Sequence, residues 1–300
     1  MNMTDNILQI SERLADMVQA VDKGVVRVEG RRRMPATGVV WSTDGLIITA
    51  SHAVRRDDGI TVGLPDGDSV AARLVGRDHS TDVALLRVEA KGLVPVARST
   101  GVTESVGNLV LALGRPGKSI QATFGIVSAL GGSWRTHQGG QIDRYLQTDV
   151  LMYPGFSGGP LIGAGTTLLG MNSSSLLPGV SIAVPIDTLD RIAQTLATHG
   201  RIQRGYLGVS TQRAQLPRNL REEMGQKVGL LIVTVEPDSP AENGGLTLGD
   251  TIVGIGDDAI QSHDDLLAKL SNELVGQKLP IRIIRGGEIL SINVKIGERP

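Results

Sequence analysis

Gly155-Phe156-Ser157-Gly158-Gly159-Pro160 is the stretch whose reading decides the fold. A serine between glycines, closed by proline and followed by Leu161 and Ile162, presents a hydroxyl at a tight turn. Glycines lack a Cβ, so they permit unusual backbone angles and leave amides open to a ligand. Alone, the stretch is equally a glycine-rich hairpin with an incidental serine, because such turns are common.

Working outward, His52 closes the apolar run Leu46-Ile47-Ile48-Thr49-Ala50-Ser51, and Asp82 opens the run Val83-Ala84-Leu85-Leu86. Taken singly, a histidine is more often a core or surface residue, and an aspartate a cap or turn. Here His, Asp and Ser occur in the chain order of the chymotrypsin fold, each at the edge of an expected strand. A serine hydroxyl is a poor nucleophile unless a neutral imidazole takes its proton and a buried carboxylate fixes that imidazole's tautomer. His52, Asp82 and Ser157 supply one of each.

Thr49-Ala50-Ser51-His52-Ala53-Val54, Thr81-Asp82-Val83-Ala84-Leu85-Leu86 and Pro154-Gly155-Phe156-Ser157-Gly158-Gly159-Pro160-Leu161 resemble the three catalytic blocks of the HtrA (Deg) serine proteases. The resemblance runs from about Val25 to Lys295 and includes Val110-Leu111-Ala112-Leu113-Gly114 and Gln147-Thr148-Asp149. It implies a mainly β fold: a trypsin-like double β-barrel with the site between the barrels, then a small α+β PDZ domain. It implies His52, Asp82 and Ser157 as the triad, with the amides of Gly155 and Ser157 as the oxyanion hole. The residue six before the serine would floor the primary specificity pocket. That residue is Leu151, followed by Met152 and Tyr153, with Ser181 replacing a glycine usual in the family. An apolar floor disfavours Lys and Arg, since burying an unpaired charge is costly, and favours small or aliphatic residues. Tyr153 and Phe156 stand where the family typically has asparagine.

The 300 residues fit about two domains of ordinary size. The 40% hydrophobic residues and 39 glycines describe a globular, turn-rich protein. A net charge of −1 leaves no footprint for nucleic acid or an anionic membrane. Arg31-Arg32-Arg33 reads as a solvated turn. There is no cysteine, so no disulfide holds the fold. No motif calls for a metal or cofactor, and no P-loop is present, so ATP-driven unfolding within the chain is not expected. No run approaches the ~18 apolar residues of a membrane span. Residues 1–24 read as an amphipathic helix, capped by Thr4 or Asp5 and ended by Gly24, and not as a secretory signal. A cytoplasmic location is therefore expected, or export if the chain is a piece of a longer one.

Residues 25–200 are expected to form the protease domain, closed by a helix after Pro185, with Arg201-Ile202-Gln203-Arg204 at the boundary. Residues 201–300 resemble a PDZ domain, with Gly205-Tyr206-Leu207-Gly208-Val209 as the carboxylate-binding loop. Such a loop captures a C-terminus with successive amides while the peptide adds a strand to a sheet edge. Leu207, Gly208 and Val209 would supply the amides and edge, Tyr206 would flank them, and a helix capped by Ser262 would offer Leu266 and Leu270 as the other wall. The resemblance implies unfolded proteins and C-terminal peptides as partners, and a trimer or higher oligomer. A chaperone-like protein with a resting site, and a peptide-binding scaffold, are the alternatives.

Overall fold

The structure, a computed structural model, describes residues 3–32, 34–98, 104–202, 205–270 and 274–298. Arg33, Gln203, Arg204 and the side chain of Thr4 lie outside the described residues. The chain divides into two compact units, Met1–Ile202 and Gln203–Pro300.

The first unit opens with α1 (Met3–Val21), which starts ahead of both expected caps and leaves Asp5 in its first turn. Strands β1 (Val25–Glu29), β2 (Ala36–Val40), β3 (Leu46–Ala50), β4 (Ile60–Gly63), β5 (Ser69–Asp78) and β6 (Val83–Val88) close a barrel in the order β1-β2-β3-β6-β5-β4. After β7 (Leu109–Gly114) and β8 (Gln121–Gly131) comes a short hairpin of β9 (Trp134–Arg135) and β10 (Gln141–Ile142). With β11 (Tyr145–Thr148), β12 (Pro160–Gly163), β13 (Leu168–Ser173) and β14 (Ser181–Pro185), β7 and β8 close a second six-stranded barrel, β11-β14-β13-β12-β7-β8.

Continuous apolar runs become strands here because both strand faces are covered. Along β3 and β6 the side chains alternate. Ile47, Ala84 and Leu86 fill one cluster with Val26 and Val62, whereas Ile48, Val83 and Leu85 join a cluster shared with the second barrel. In the second barrel Val110, Ala112, Leu161 and Ala183 fill a separate core, while Leu111, Leu113, Ile162 and Ile182 turn to the shared cluster. That layer also takes Met17 and Val21 of α1 and Ile186, Leu189, Ile192 and Leu196 of α2 (Ile186–His199). Helix α2 ends as expected at Gly200, whose φ of +72° suits a residue without Cβ.

In the second unit, β15 (Gly205–Tyr206) pairs with the C-terminal β22 (Gly297–Glu298). Strands β16 (Val209–Gln215), β17 (Val228–Val235), β18 (Thr251–Ile255), β20 (Lys278–Arg285) and β21 (Glu288–Lys295) form a sheet in that order, and β19 (Asp258–Ala259) pairs with β18. Helices α3 (Arg218–Met224), α4 (Pro240–Gly244) and α5 (His263–Lys269) accompany it. Ser262 caps α5 in a reciprocal box with Asp265. Among the described residues, no helix is long and apolar enough to cross a membrane.

Candidate active site

Asp82 follows a turn built by the buried Asp78. The Ser80 amide and hydroxyl donate to Asp78 Oδ1 at 3.1 and 2.7 Å, and the Thr81 hydroxyl donates to Oδ2 at 2.8 Å. This turn carries Asp82 into β6 at a φ of +58°, a left-handed conformation that aspartate tolerates better than most side chains. From the β9–β10 hairpin, the Thr136 hydroxyl donates to the Ser80 carbonyl at 2.7 Å, fastening the hairpin to the same turn.

His52 lies in a single helical turn, Ser51–Ala53, directly after β3, and β3 pairs with β6. Its Nδ1 is 3.0 and 2.9 Å from the two Asp82 oxygens, and its amide donates to Oδ1 at 2.9 Å. The Ser173 hydroxyl, at the end of β13, donates to Asp82 Oδ2 at 2.6 Å. Burial pushes the Asp82 carboxyl up, but hydrogen bonds from His52 and Ser173 and the nearby imidazole charge outweigh it, holding the carboxyl below its ordinary range. An acid that stays ionised while buried is suited to holding an imidazole.

Ser157 is also buried, in the turn ahead of β12. Gly158 beside it has a φ of +87°, and a Cβ there would stand 2.1 Å from the Thr37 carbonyl oxygen, so only glycine fits. Phe156 points inward. Its fully buried ring joins the second barrel's core, meets Tyr153 edge-on at 5.8 Å, and lies where a Cβ on Gly114 would come within 2.5 Å. The aromatic residue at this position thus serves packing, with a glycine opposite to receive it. The amides of Gly155 and Ser157 donate to no protein acceptor among the described residues. The loop hangs on Thr37 of β2. The Thr37 amide donates to the Ser157 carbonyl at 3.2 Å, and its hydroxyl donates to the Gly155 carbonyl at 2.7 Å while accepting from the Arg115 amide at 2.8 Å. The buried Arg115 side chain in turn donates to the Val25 and Lys118 carbonyls, both at 2.7 Å, and pairs with the Asp22 carboxylate.

Thr37→Val keeps the shape of the side chain but orphans a buried carbonyl and a buried amide. We expect a stability loss of about 1–3 kcal/mol, a lower kcat, and largely restored values in Thr37→Ser. Chemical denaturation with peptide-hydrolysis kinetics on the three proteins checks this. Thr37→Val at wild-type stability would count against the anchor.

The Ser157 hydroxyl does not rest on His52. It lies 2.9 Å from the Ser174 hydroxyl and accepts from the Ser174 amide at 3.3 Å. A cavity of about 550 Å³ beside His52 and Asp82 is lined by His79, Thr136, His137, Ser175 and Leu176, among others. The expected pocket residues are spread out. Leu151 is 59% exposed and Tyr153 49%, so the floor expected of Leu151 is open to solvent. Met152 packs against the second barrel's core, and the Ser181 hydroxyl donates to the Val150 carbonyl at 2.8 Å. Sequence reasoning did not pick out Thr37, Asp78, Thr136, Ser173 or Ser174. The run Ser173-Ser174-Ser175 at a strand end was the one visible sign.

The second unit holds the residues expected to bind a peptide. Among the described residues, strand β16 pairs with no strand other than β17, so it lies at the edge of the sheet. Gly208 has a φ of +79°, and the amides of Leu207 and Gly208 donate to no protein acceptor among the described residues. Leu207 and Leu266 share one core cluster, with Val209 and Leu270 packed against it, and Tyr206 bonds the Glu236 carboxylate. His263 Nε2 at the start of α5 lies 2.9 Å from the Thr211 carbonyl of β16, a histidine the sequence reading passed over.

Residues 36–171 match the trypsin-like peptidase domain family, and residues 205–296 match the PDZ domain family. With two closed six-stranded barrels in the first unit, this defines a trypsin-like peptidase fold joined to a PDZ domain. A probable periplasmic serine endoprotease DegP-like of Pseudomonas putida is 37% identical over 272 residues, covering 88% of this chain and 56% of its own length. A Halomonas elongata protein of the same name is 35% identical, covering 90% and 57%. The chain thus spans about half the length of these curated relatives. The serine endoprotease from Yersinia pestis superposes with a TM-score of 0.78 at 28% identity, over 95% of this chain and 98% of that one. The HtrA-type protease AlgW with tripeptide does so with a TM-score of 0.74 at 30% identity, over 95% and 97%. The chain belongs to the HtrA family of serine proteases.

One expectation is corrected by these relatives. They are named periplasmic, which overturns the cytoplasmic location read from residues 1–24. Helix α1 packs Met17 and Val21 into the core, so that segment's pattern reports packing and not address.

Proposed function

We propose that this protein is a serine endopeptidase of the cell envelope that cleaves unfolded proteins without ATP. In this reading Ser157 attacks, His52 takes its proton, Asp82 orients His52, and the Gly155 and Ser157 amides receive the oxyanion. The observation that carries it is the buried Asp82 carboxylate, bonded at once to His52 Nδ1 and the Ser173 hydroxyl. No structural role requires a buried charge to grip an imidazole that is itself 26% exposed on its side chain. Cleavage after small or aliphatic residues remains the proposed preference, with Met152 and Ser181 half-buried and Leu151 and Tyr153 exposed. Hydrolysis of unfolded casein, with the cleavage sites mapped by mass spectrometry, tests both points. A strong preference for Lys or Arg before the scissile bond would sink the specificity.

The second unit is proposed to bind C-terminal peptides in a groove along the edge strand β16, with Leu207, Gly208 and Val209 at the carboxylate. Tyr206, Leu266 and Leu270 would border that groove, and a trimer or larger assembly is the proposed working form. Such a peptide can activate only if it binds the active arrangement more tightly than the resting one. An apolar C-terminal peptide added in trans is expected to raise cleavage of a substrate too short to reach the groove. Simple tethering predicts a flat response in that titration and slower cleavage of long substrates. The chaperone-like alternative draws on one observation, the contact of Ser157 with Ser174 in place of His52.

A further inference from the structure

We propose that Ser174 is a positioning residue that latches the nucleophile in a resting rotamer, so that Ser157 must leave Ser174 before it can give its proton to His52. This rests on Ser157 being the nucleophile. Two contacts make the latch: the Ser174 amide donates to Ser157 Oγ at 3.3 Å, and the two hydroxyl oxygens stand 2.9 Å apart. No hydrogen bond joins Ser157 Oγ to His52 among the described residues. The latch is firmly mounted. Ser174 directly follows Ser173, which pairs with Ile182 across β13 and β14 and donates its hydroxyl to Asp82.

The end of one strand therefore touches both ends of the triad, holding the acid in place while holding the serine aside. The Ser157 loop is anchored separately through Thr37, so only a rotation about the Ser157 Cα–Cβ bond is needed to exchange partners. That rotation is between staggered wells of a single side-chain torsion. The latch thus lowers the fraction of molecules ready to react and leaves the triad itself intact. Ser174 is exposed, and its hydroxyl contributes nothing to a core.

The test uses the full chain and a fluorophosphonate probe. In labelling, Ser157 Oγ bonds phosphorus, fluoride leaves, and the hydroxyl proton passes to His52. Removing one neutral hydroxyl contact should raise the competent fraction by about two- to tenfold. Ser174→Ala is therefore expected to label faster by that factor, and to show the same rise in kcat on a short peptide with KM unchanged. Ser174→Thr, which restores a hydroxyl, should return towards the wild-type rate. A bystander residue would move neither rate. Labelling at Ser157 that is unchanged or slower in Ser174→Ala overturns the latch alone. Labelling that persists in Ser157→Ala overturns the nucleophile assignment, and the latch with it.

Discussion

Ser157→Ala and His52→Ala are each expected to lower kcat by about 10⁶-fold, and the double variant should be no slower than either. The hydroxyl is useless without the imidazole and the imidazole without the hydroxyl, so the losses overlap instead of adding. What survives is substrate binding and whatever the Gly155 and Ser157 amides still do for a water-attacked carbonyl. Neither change should disturb the fold, because Asp82 keeps its Ser173 partner and the Ser157 loop keeps its anchor on Thr37. Single-turnover assays on a short peptide, with thermal melts as control, read the result. Ser157→Ala with wild-type turnover would refute the assignment.

Asp82→Asn should cost about 10⁴-fold in kcat, with little change in shape. Asp82 accepts three hydrogen bonds, from the His52 amide, His52 Nδ1 and the Ser173 hydroxyl. An asparagine turns one of its two terminal atoms from acceptor to donor, so one of those donors is left facing an N–H. The imidazole relieves the conflict by moving its proton to Nε2, which is where it must not be to act as a base. Stability shifts as well, in a direction set by linkage. Because the folded Asp82 is held below its ordinary value of 3.8, its stabilising contribution is present above that value. It is lost as pH falls through the lower folded value. The melting-temperature gap between wild type and Asp82→Asn should therefore be full at neutral pH and close below about pH 3.8. A gap that widened on acidification would contradict the sign.

The residues proposed to carry the chemistry stand out in the sequence because each sits in a local context that role requires. His52 and Asp82 lie at the mouths of apolar strands, and Ser157 between glycines that only a crowded turn would demand. Their supports do not. Ser173 meets Asp82 across 91 positions and Thr37 meets Gly155 across 118, and a serine or threonine in a strand looks the same whether it anchors a loop or faces water. Phe156 stands out as a departure from the family's usual asparagine, but the glycine that admits its ring, Gly114, lies in another strand. Leu151 could be numbered from the serine, but counting positions says nothing about depth, and its side chain is open. The PDZ unit was the most readable, since Ser262 and Asp265 cap α5 through contacts three residues apart.

The path from Asp22 through Arg115 and Thr37 to the Gly155 carbonyl bears on how fragments of this protein behave. Asp22 follows α1 directly, so that helix is no detachable handle. A fragment that begins at Val25 leaves a guanidinium only 4% exposed on its side chain without its carboxylate. Unpaired, that cation draws in water or moves, and its own amide is what the Thr37 hydroxyl accepts from. Trimming for crystallisation or display would then blunt the enzyme from a point far along the chain. Preparations that differ only in where they start need not share one specific activity.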